Sequence, residues 1–174
     1  MNELLRSMGS ARHFSKGGVL LRQGDMHGNL FFIQQGLVKA YYQTRNGKEF
    51  IKSFIPAGEM IGSMQAIVAD KPCAFSVMAL EPTSVLEITK PRLLQMLEQQ
   101  DVVIWLNQQL LKLAMKKEQR EYEFLCLTAE QRYLRLYEQE HALLQRLTQY
   151  DIAQYLGITP VALSRIRKRC GLVE

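Results

Sequence analysis

Short apolar runs separated by turn residues make up the chain from Phe14 to Ile88. Glycine, proline and asparagine recur there roughly every ten residues, a spacing typical of short strands in a sandwich or barrel. Asn46-Gly47 predicts a type I′ hairpin turn, because both central positions of that turn need positive φ. The pattern predicts five strands: Leu30–Gln34, Leu37–Thr44, Glu49–Ile55, Ala74–Ala79 and Ser84–Thr89.

From Thr89-Lys90-Pro91 onward, apolar residues with helical spacing replace the short apolar runs. A short helix is predicted over Pro91–Gln99, with Thr89 as its N-cap. A longer helix should follow from an Asp101 N-cap to about Leu127. Four of its apolar residues have the 3-4-3 spacing of a seam between two helices: Val103, Leu106, Leu110 and Leu113. We predict that this seam joins two copies of the chain; the alternative is a helix packed on its own barrel.

The remaining residues carry start and stop signals for three more helices. Thr128 and Gln131 form a capping-box pair in front of a helix predicted over Ala129–His141. Two shorter helices follow, one capped by Thr148 and ended by Gly157. The last begins with Thr159 as N-cap and Pro160 at its first position. Two helices joined by a glycine turn are typical of a helix-turn-helix.

The last helix is strongly basic on its predicted outer face. The chain has a net charge of +5, and no acidic residue lies between Asp151 and Glu174. Such a helix fits the major groove of B-DNA. The predicted DNA-binding residues are Thr159, Pro160, Val161, Ser164, Arg165, Arg167, Lys168 and Arg169. We expect Arg165 to pair with guanine, Ser164 to contact a base or phosphate, and the last three to contact phosphates. The alternative is a solvated basic helix end stabilised by the helix dipole.

Ordered short motifs extend over nearly the whole chain. The front half contains Gly24-Asp25, Leu30-Phe31-Phe32-Ile33, Gly36-Leu37-Val38, Gly47-Lys48-Glu49, Pro56-Ala57-Gly58-Glu59 and Ile61-Gly62. The tail contains Asp151-Ile152-Ala153, Leu156-Gly157 and Leu163-Ser164-Arg165. Each motif is loose alone, but the ordered set resembles the Crp/Fnr family of regulators, whose sensor is a cyclic-nucleotide-binding-type barrel.

This resemblance implies an α+β fold in three parts. They are a double-stranded β-helix (jelly-roll) barrel over residues 1–100, a dimerisation helix over 101–127 and a helix-turn-helix of winged-helix type over 128–174. It also implies a cytoplasmic transcription regulator, not an enzyme, that binds an inverted repeat in double-stranded DNA as a homodimer. RNA polymerase is a candidate further partner. The sequence ends at Glu174, where the family usually continues into a β-hairpin wing, so either the wing is absent or the sequence is truncated.

The predicted effector pocket departs from the family members that bind cyclic AMP. Those members carry a glutamate for the ribose hydroxyl, and then an arginine and a serine for the cyclic phosphate. Here Ser63 stands at the glutamate position, and Cys73 and Ala74 stand at the other two. A buried phosphate without a paired cation is costly to desolvate, so we expect no tight cyclic AMP binding. The candidate pocket residues are Gly62, Ser63, Met64, Cys73 and Ala74.

Other cofactors and locations have little support in the sequence. The three cysteines (Cys73, Cys126 and Cys170) are far apart and lack C-x-x-C spacing, which argues against disulfides, zinc and iron–sulfur clusters. Residues 1–40 hold no cysteine, unlike the family's oxygen sensors. The histidines are isolated, so no haem, other metal or cofactor is predicted. A signal peptide and a membrane-length apolar run are both absent from the sequence, so a membrane is not expected as a partner.

Two other functions compete with the regulator. A cupin-type enzyme would need a His/Glu metal set on barrel strands, and neither that set nor a Ser-His-Asp arrangement stands out, so no catalytic residue is predicted. The stronger alternative is an effector-binding or protein-interaction module with a vestigial helix-turn-helix. Specific DNA binding with a steep salt dependence would exclude it.

Overall fold

A computed structural model describes Leu5 and residues 9–172. The chain forms two compact units, residues 1–106 and residues 107–174. The first unit is mainly β and the second is entirely helical in its described part. The predicted division at residues 100 and 127 stays a prediction.

The described residues of the first unit form eight strands in two four-stranded antiparallel sheets. The strands are β1 Ser10–Phe14, β2 Val19–Leu21, β3 Leu30–Gln35, β4 Leu37–Gln43, β5 Glu49–Pro56, β6 Met60–Ile61, β7 Ser76–Ala79 and β8 Thr83–Ile88. Their order is β1-β8-β3-β6 in one sheet and β2-β7-β4-β5 in the other. In these two sheets β1 pairs with β8, β2 with β7, β3 with β6 and β4 with β5. This pairing matches the predicted jelly-roll arrangement. All five predicted strands are present, with shifts of up to two residues at their ends.

Side chains from both sheets fill the barrel interior. Strand β4 supplies Val38 and Ala40, which alternate along one face, and β7 supplies Val77 and Ala79 in the same way. Phe31, Ile33, Ile55 and Val85 are among the other buried members of this core. Alternate residues of these strands therefore point into the barrel, as expected of a strand with one buried face.

Three strands were missed by the sequence prediction, because each is too polar or too short to give the pattern of apolar residues on which the predicted strands were based. Strand β1 is polar and mostly exposed, because it lies at the edge of its sheet and pairs only with β8. Strands β2 and β6 have three and two residues. Their formation depends on partners distant in sequence, which local patterns do not reveal.

The hairpin between β4 and β5 corrects the predicted type I′ turn. Gly47 has a φ of 77°, whereas Asn46 does not have positive φ. The Gly47 amide donates to the Thr44 carbonyl at 2.9 Å, and the Thr44 amide donates to the Lys48 carbonyl at 2.9 Å. These bonds define a three-residue loop, in which a type I turn is followed by a glycine bulge. The turn was placed correctly but its type was wrong.

Two helices and the start of a third complete the first unit. They are α1 Met64–Ala69, α2 Lys90–Met96 and the first residues of α3 Gln100–Cys126. Leu93, Met96 and Val102 pack with Leu86 and Ile88 in a second apolar cluster. Thr89 occupies the N-cap of α2 as predicted, but its side chain makes no capping hydrogen bond. The prediction of an Asp101 N-cap was wrong, because α3 begins at Gln100 and Asp101 lies in its first turn.

The second unit consists of the rest of α3 and four further helices. These are α4 Ala129–Gln139, α5 His141–Leu144, α6 Gln149–Leu156 and α7 Pro160–Arg169. The Thr128–Gln131 capping box is present, with both reciprocal bonds formed. Within the described part of the chain, no helix is both long enough and apolar enough to cross a membrane.

Candidate nucleic-acid interface

Helices α6 and α7 are joined by a three-residue connection whose geometry follows from local signals. The Thr148 hydroxyl accepts from the Asp151 amide at 3.1 Å and so caps α6. Gly157 ends α6 in the left-handed region at φ 72°, where a side chain would be strained. The Thr159 hydroxyl accepts from the Ala162 amide at 3.2 Å and caps α7, with Pro160 in its first turn. All three predicted cap positions are confirmed.

Helix α7 has one buried and one open face. Leu163 is 0% exposed and Ile166 5% exposed, so these two side chains fix the helix to its unit. Six of the eight residues predicted to bind DNA are also exposed within the helix: Pro160, Val161, Ser164, Arg165, Lys168 and Arg169. The open face therefore coincides with the predicted binding face.

The four basic residues of α7 differ in their exposure and in their intramolecular partners. Arg165 and Lys168 are exposed and have no hydrogen bond or ion pair with any described residue. Arg169 is exposed but forms an ion pair with Glu130, at 2.5 Å between Nη2 and Oε2. Arg167 is half-buried, donates to the Leu172 carbonyl at 3.4 Å and interacts with the Tyr133 hydroxyl. Arg165 and Lys168 are therefore the most available cations.

Two arginines from outside the α6–α7 pair hold the C-terminal end of α6. Arg120 Nη2 donates to the Tyr155 carbonyl at 3.0 Å, and its guanidinium lies 3.8 Å from the centre of the Tyr155 ring. Arg132 Nη2 donates to the Leu156 carbonyl at 3.1 Å. The last carbonyls of a helix have no partner within it, so cationic donors satisfy them well. Burial lowers the pKa of Arg120 below its ordinary value.

Phe124 links these arginines to the turn. Both guanidinium groups, from Arg120 and Arg132, lie 4.7 Å from the centre of its ring. A Cβ at Gly157 would lie 3.2 Å from Phe124 Cε1, so the ring packs closely on the turn. Sequence reasoning missed this support. The local signal in the sequence was that the apolar series on α3 is interrupted at Lys117 and Arg120.

The candidate effector residues of the barrel are arranged differently. Ser63 is buried, and its hydroxyl accepts from the Ala74 amide at 3.1 Å. Cys73 is also buried, and its thiol lies 3.3 Å from the His27 carbonyl, to which it donates. Burial, and then the charge of Asp25, raise the pKa of the Cys73 thiol. Gly62 is half-buried and Met64 is exposed. The Ser63 hydroxyl and the Cys73 thiol are thus both hydrogen-bonded to backbone groups of the barrel.

The predicted seam on α3 is only partly open. Val103, Leu106 and Leu110 are half-buried, and Leu113 is 37% exposed. More exposed apolar residues lie on another side of the helix: Leu111, Met115, Tyr122 and Leu125, between 48% and 77% exposed. Their spacing of four, seven and three residues places them in one stripe. The structure holds a single chain, so the predicted seam stays a prediction.

Several known proteins are similar to this chain in sequence or in fold. Residues 11–100 match the cyclic nucleotide-binding domain family. Electron transport regulator A of Shewanella oneidensis is 32% identical over 175 residues, which cover 91% of this chain and 69% of that protein. The transcriptional activator protein anr of Pseudomonas aeruginosa is 28% identical over 184 residues, covering 97% and 73%. The structure of the c-di-GMP responsive global regulator CLP from Xanthomonas campestris superposes with a TM-score of 0.81 at 17% identity, covering 98% and 90%.

The fold and these matches define a protein with a cyclic nucleotide-binding-type barrel and a long helix. The chain belongs to the Crp/Fnr family of transcription regulators. The two relatives named above, which match along most of the chain, are regulators and not enzymes, in agreement with the sequence prediction. The match to solved structures lies below 25% identity and establishes the fold alone.

Proposed function

We propose that this chain is a DNA-binding transcription regulator that places α7 in the major groove. The observation that carries the proposal is the open face of α7, on which Arg165 and Lys168 are exposed and have no partner in the part of the chain that the structure describes. Helices α6 and α7 then act as a helix-turn-helix, with α7 as the recognition helix. Two cations one turn apart on an exposed helix face suit a polyanionic groove.

Individual roles follow from position along α7. Arg165 is the sixth of the ten residues of α7, in the middle of the helix, and its fork of donors suits guanine O6 and N7. Lys168 lies one turn further on and suits a phosphate. Arg169 reaches the backbone only by giving up its ion pair with Glu130. Arg167 supports the helix from within, through Tyr133 and the Leu172 carbonyl.

The regulator acts in this proposal as a homodimer joined along α3. The exposed stripe of Leu111, Met115, Tyr122 and Leu125 offers apolar surface that a second copy would cover. Two recognition helices would then meet half-sites about 34 Å apart, so the operator is an inverted repeat. RNA polymerase is a candidate partner of the DNA-bound form.

The barrel in this proposal does not bind cyclic AMP tightly. A cyclic phosphate needs a cation or several free N–H donors, and the Ala74 amide already donates to Ser63. Ser63 and Cys73 are buried, so a phosphate could reach neither without displacing these bonds. Another effector, of unknown identity, would need a different arrangement of contacts. The wing that the resemblance implies would lie beyond Leu172, outside the described residues.

Selection from random duplex DNA with the full chain tests the proposal. We expect enrichment of an inverted repeat, and binding that weakens steeply as salt increases, because each phosphate contact releases counterions. Enrichment of no sequence, together with salt-insensitive binding, would favour the protein-interaction module with a vestigial helix-turn-helix.

Light scattering of glutamate variants tests the dimer separately. Leu111→Glu and Leu125→Glu should yield monomers, because each places a charge in the stripe. Lys116→Glu is the control: it changes an exposed residue on a side of the helix outside both the stripe and the predicted seam, and should remain dimeric. Dissociation by Leu113→Glu but not by Leu111→Glu would instead support the seam predicted from the sequence.

A further inference from the structure

Val161 is an apolar residue in the middle of the basic face of α7. It is 62% exposed in the first turn of the helix. Val161, Arg165 and Lys168 are spaced four and seven residues apart, so they lie in one line along the helix. Around the helix axis, the valine therefore lies at the centre of the open face. Along the axis, it lies at the N-terminal end of α7. This is the end of a recognition helix that reaches base edges.

We infer that Val161 is a specificity-determining residue that contacts the C5-methyl group of a thymine. The inference rests on the proposed function of α7. Valine has no side-chain donor or acceptor, and the thymine methyl is the apolar group that base edges present in the major groove. Against another base, valine would cover polar atoms without replacing their hydrogen bonds to water. The residue therefore both favours thymine and disfavours the other bases.

The spacing on α7 also places this thymine relative to the base read by Arg165. Four residues along a helix correspond to an axial distance of about 6 Å. Successive base pairs are about 3.4 Å apart. A helix lying along the groove would thus bring Val161 to a base pair within about two steps of the guanine that Arg165 contacts. Each half-site should contain a thymine at that distance.

Replacement of single thymines by deoxyuridine tests the contact, because it removes the methyl group and leaves base pairing unchanged. The full chain is first used to select its site from random duplex DNA, and each thymine of the site is then replaced in turn. One replacement per half-site should weaken binding about fourfold, which corresponds to about 0.8 kcal/mol for one buried methyl. With Val161→Ala, which removes the two γ-methyl groups, the same replacement should weaken binding by less than about twofold, within the usual deviation from additivity of about 0.3–0.5 kcal/mol.

A matched control is available in Val68→Ala, which truncates a valine that is 69% exposed on α1. This variant should keep the fourfold sensitivity of the wild-type chain. At the same position, 5-methylcytosine should bind more tightly than cytosine, since it restores the methyl. Equal effects of deoxyuridine on the wild type and Val161→Ala, or no effect on either, would overturn the inference alone. Failure of the wild-type chain to select any sequence would overturn the proposed function as well.

Discussion

The candidate effector position of the barrel and the open face of α7 differ in whether their polar groups already have partners. At the barrel position, the Ser63 hydroxyl and the Cys73 thiol are buried and bonded within the chain. On α7, Arg165 and Lys168 are exposed and have no partner among the described residues. A group that is already satisfied gains little from a ligand, whereas an open cation gains a strong charge-assisted bond. This contrast supports our proposal that the chain binds a phosphate-bearing ligand, DNA, through α7 and not through the barrel.

The largest effect is expected from removal of the side chain that fixes α7. Leu163 is fully buried, so Leu163→Ala should destabilise the helical unit by about 2–5 kcal/mol. Hydrogen exchange should accelerate over residues 148–172, and DNA binding should be lost. Leu94→Ala, which truncates a leucine that is 56% exposed, serves as the control and should leave exchange unchanged. Unaltered exchange in Leu163→Ala would show that the buried face does not hold the helix.

Arg165→Ala should have the next largest effect, on binding rather than on stability. Loss of a bidentate guanine contact should cost about 1–3 kcal/mol at the selected site and relax the preference at one position. Titration of labelled duplex measures the affinity. Arg92→Ala removes the same charge from an exposed position on α2 and is the matched control. If both variants lose affinity equally at all sequences, Arg165 contributes only net charge.

Removal of Arg120 should have a somewhat smaller effect. Arg120→Ala loses the bond to the Tyr155 carbonyl and the contacts with two rings, which should cost the helical unit about 2 kcal/mol. Arg120→Lys keeps the charge but not the planar stacking, and should recover part of the loss. Chemical denaturation followed by far-ultraviolet circular dichroism measures both variants. Full stability of Arg120→Ala would mean that Arg132 and Phe124 support the turn without it.

Cyclic AMP should have the smallest effect, close to none. A ligand that binds only the folded chain raises its stability by about 2.7 kcal/mol at one hundred times its dissociation constant. Because the barrel position is already satisfied, millimolar cyclic AMP should leave the melting temperature unchanged. A clear rise would show that the Ser63 and Cys73 bonds open for the nucleotide and would remove the contrast between the two regions.

The features that sequence reasoning predicted well are those that a few neighbouring residues determine. The caps at Thr128, Thr148 and Thr159 and the end of α6 at Gly157 are local hydrogen-bond patterns, and all four are present. The buried and open faces of α7 follow from a helical period alone. The open face could therefore be predicted before any coordinates were known.

The features it missed depend on residues that are distant in sequence. Strand β1 forms by pairing with β8, more than 65 residues later. Arg120 supports α6 through a carbonyl 35 residues away. The hairpin turn needed the register of β4 against β5, which decides between a two-residue turn and a three-residue loop with a bulge. Similarly, the helical spacing on α3 located its apolar residues but did not show which of them are buried by the rest of the chain.

Methylation interference on the selected duplex tests most directly whether α7 enters the major groove. Dimethyl sulfate methylates guanine at N7 in the major groove and adenine at N3 in the minor groove, and the fractions that bind and fail to bind the full chain are compared. We predict that N7 methylation of one guanine in each half-site blocks binding, and that Arg165→Ala loses this interference. Interference from adenine N3 alone, with guanine N7 methylation tolerated, would contradict the assignment of α7 as a major-groove recognition helix.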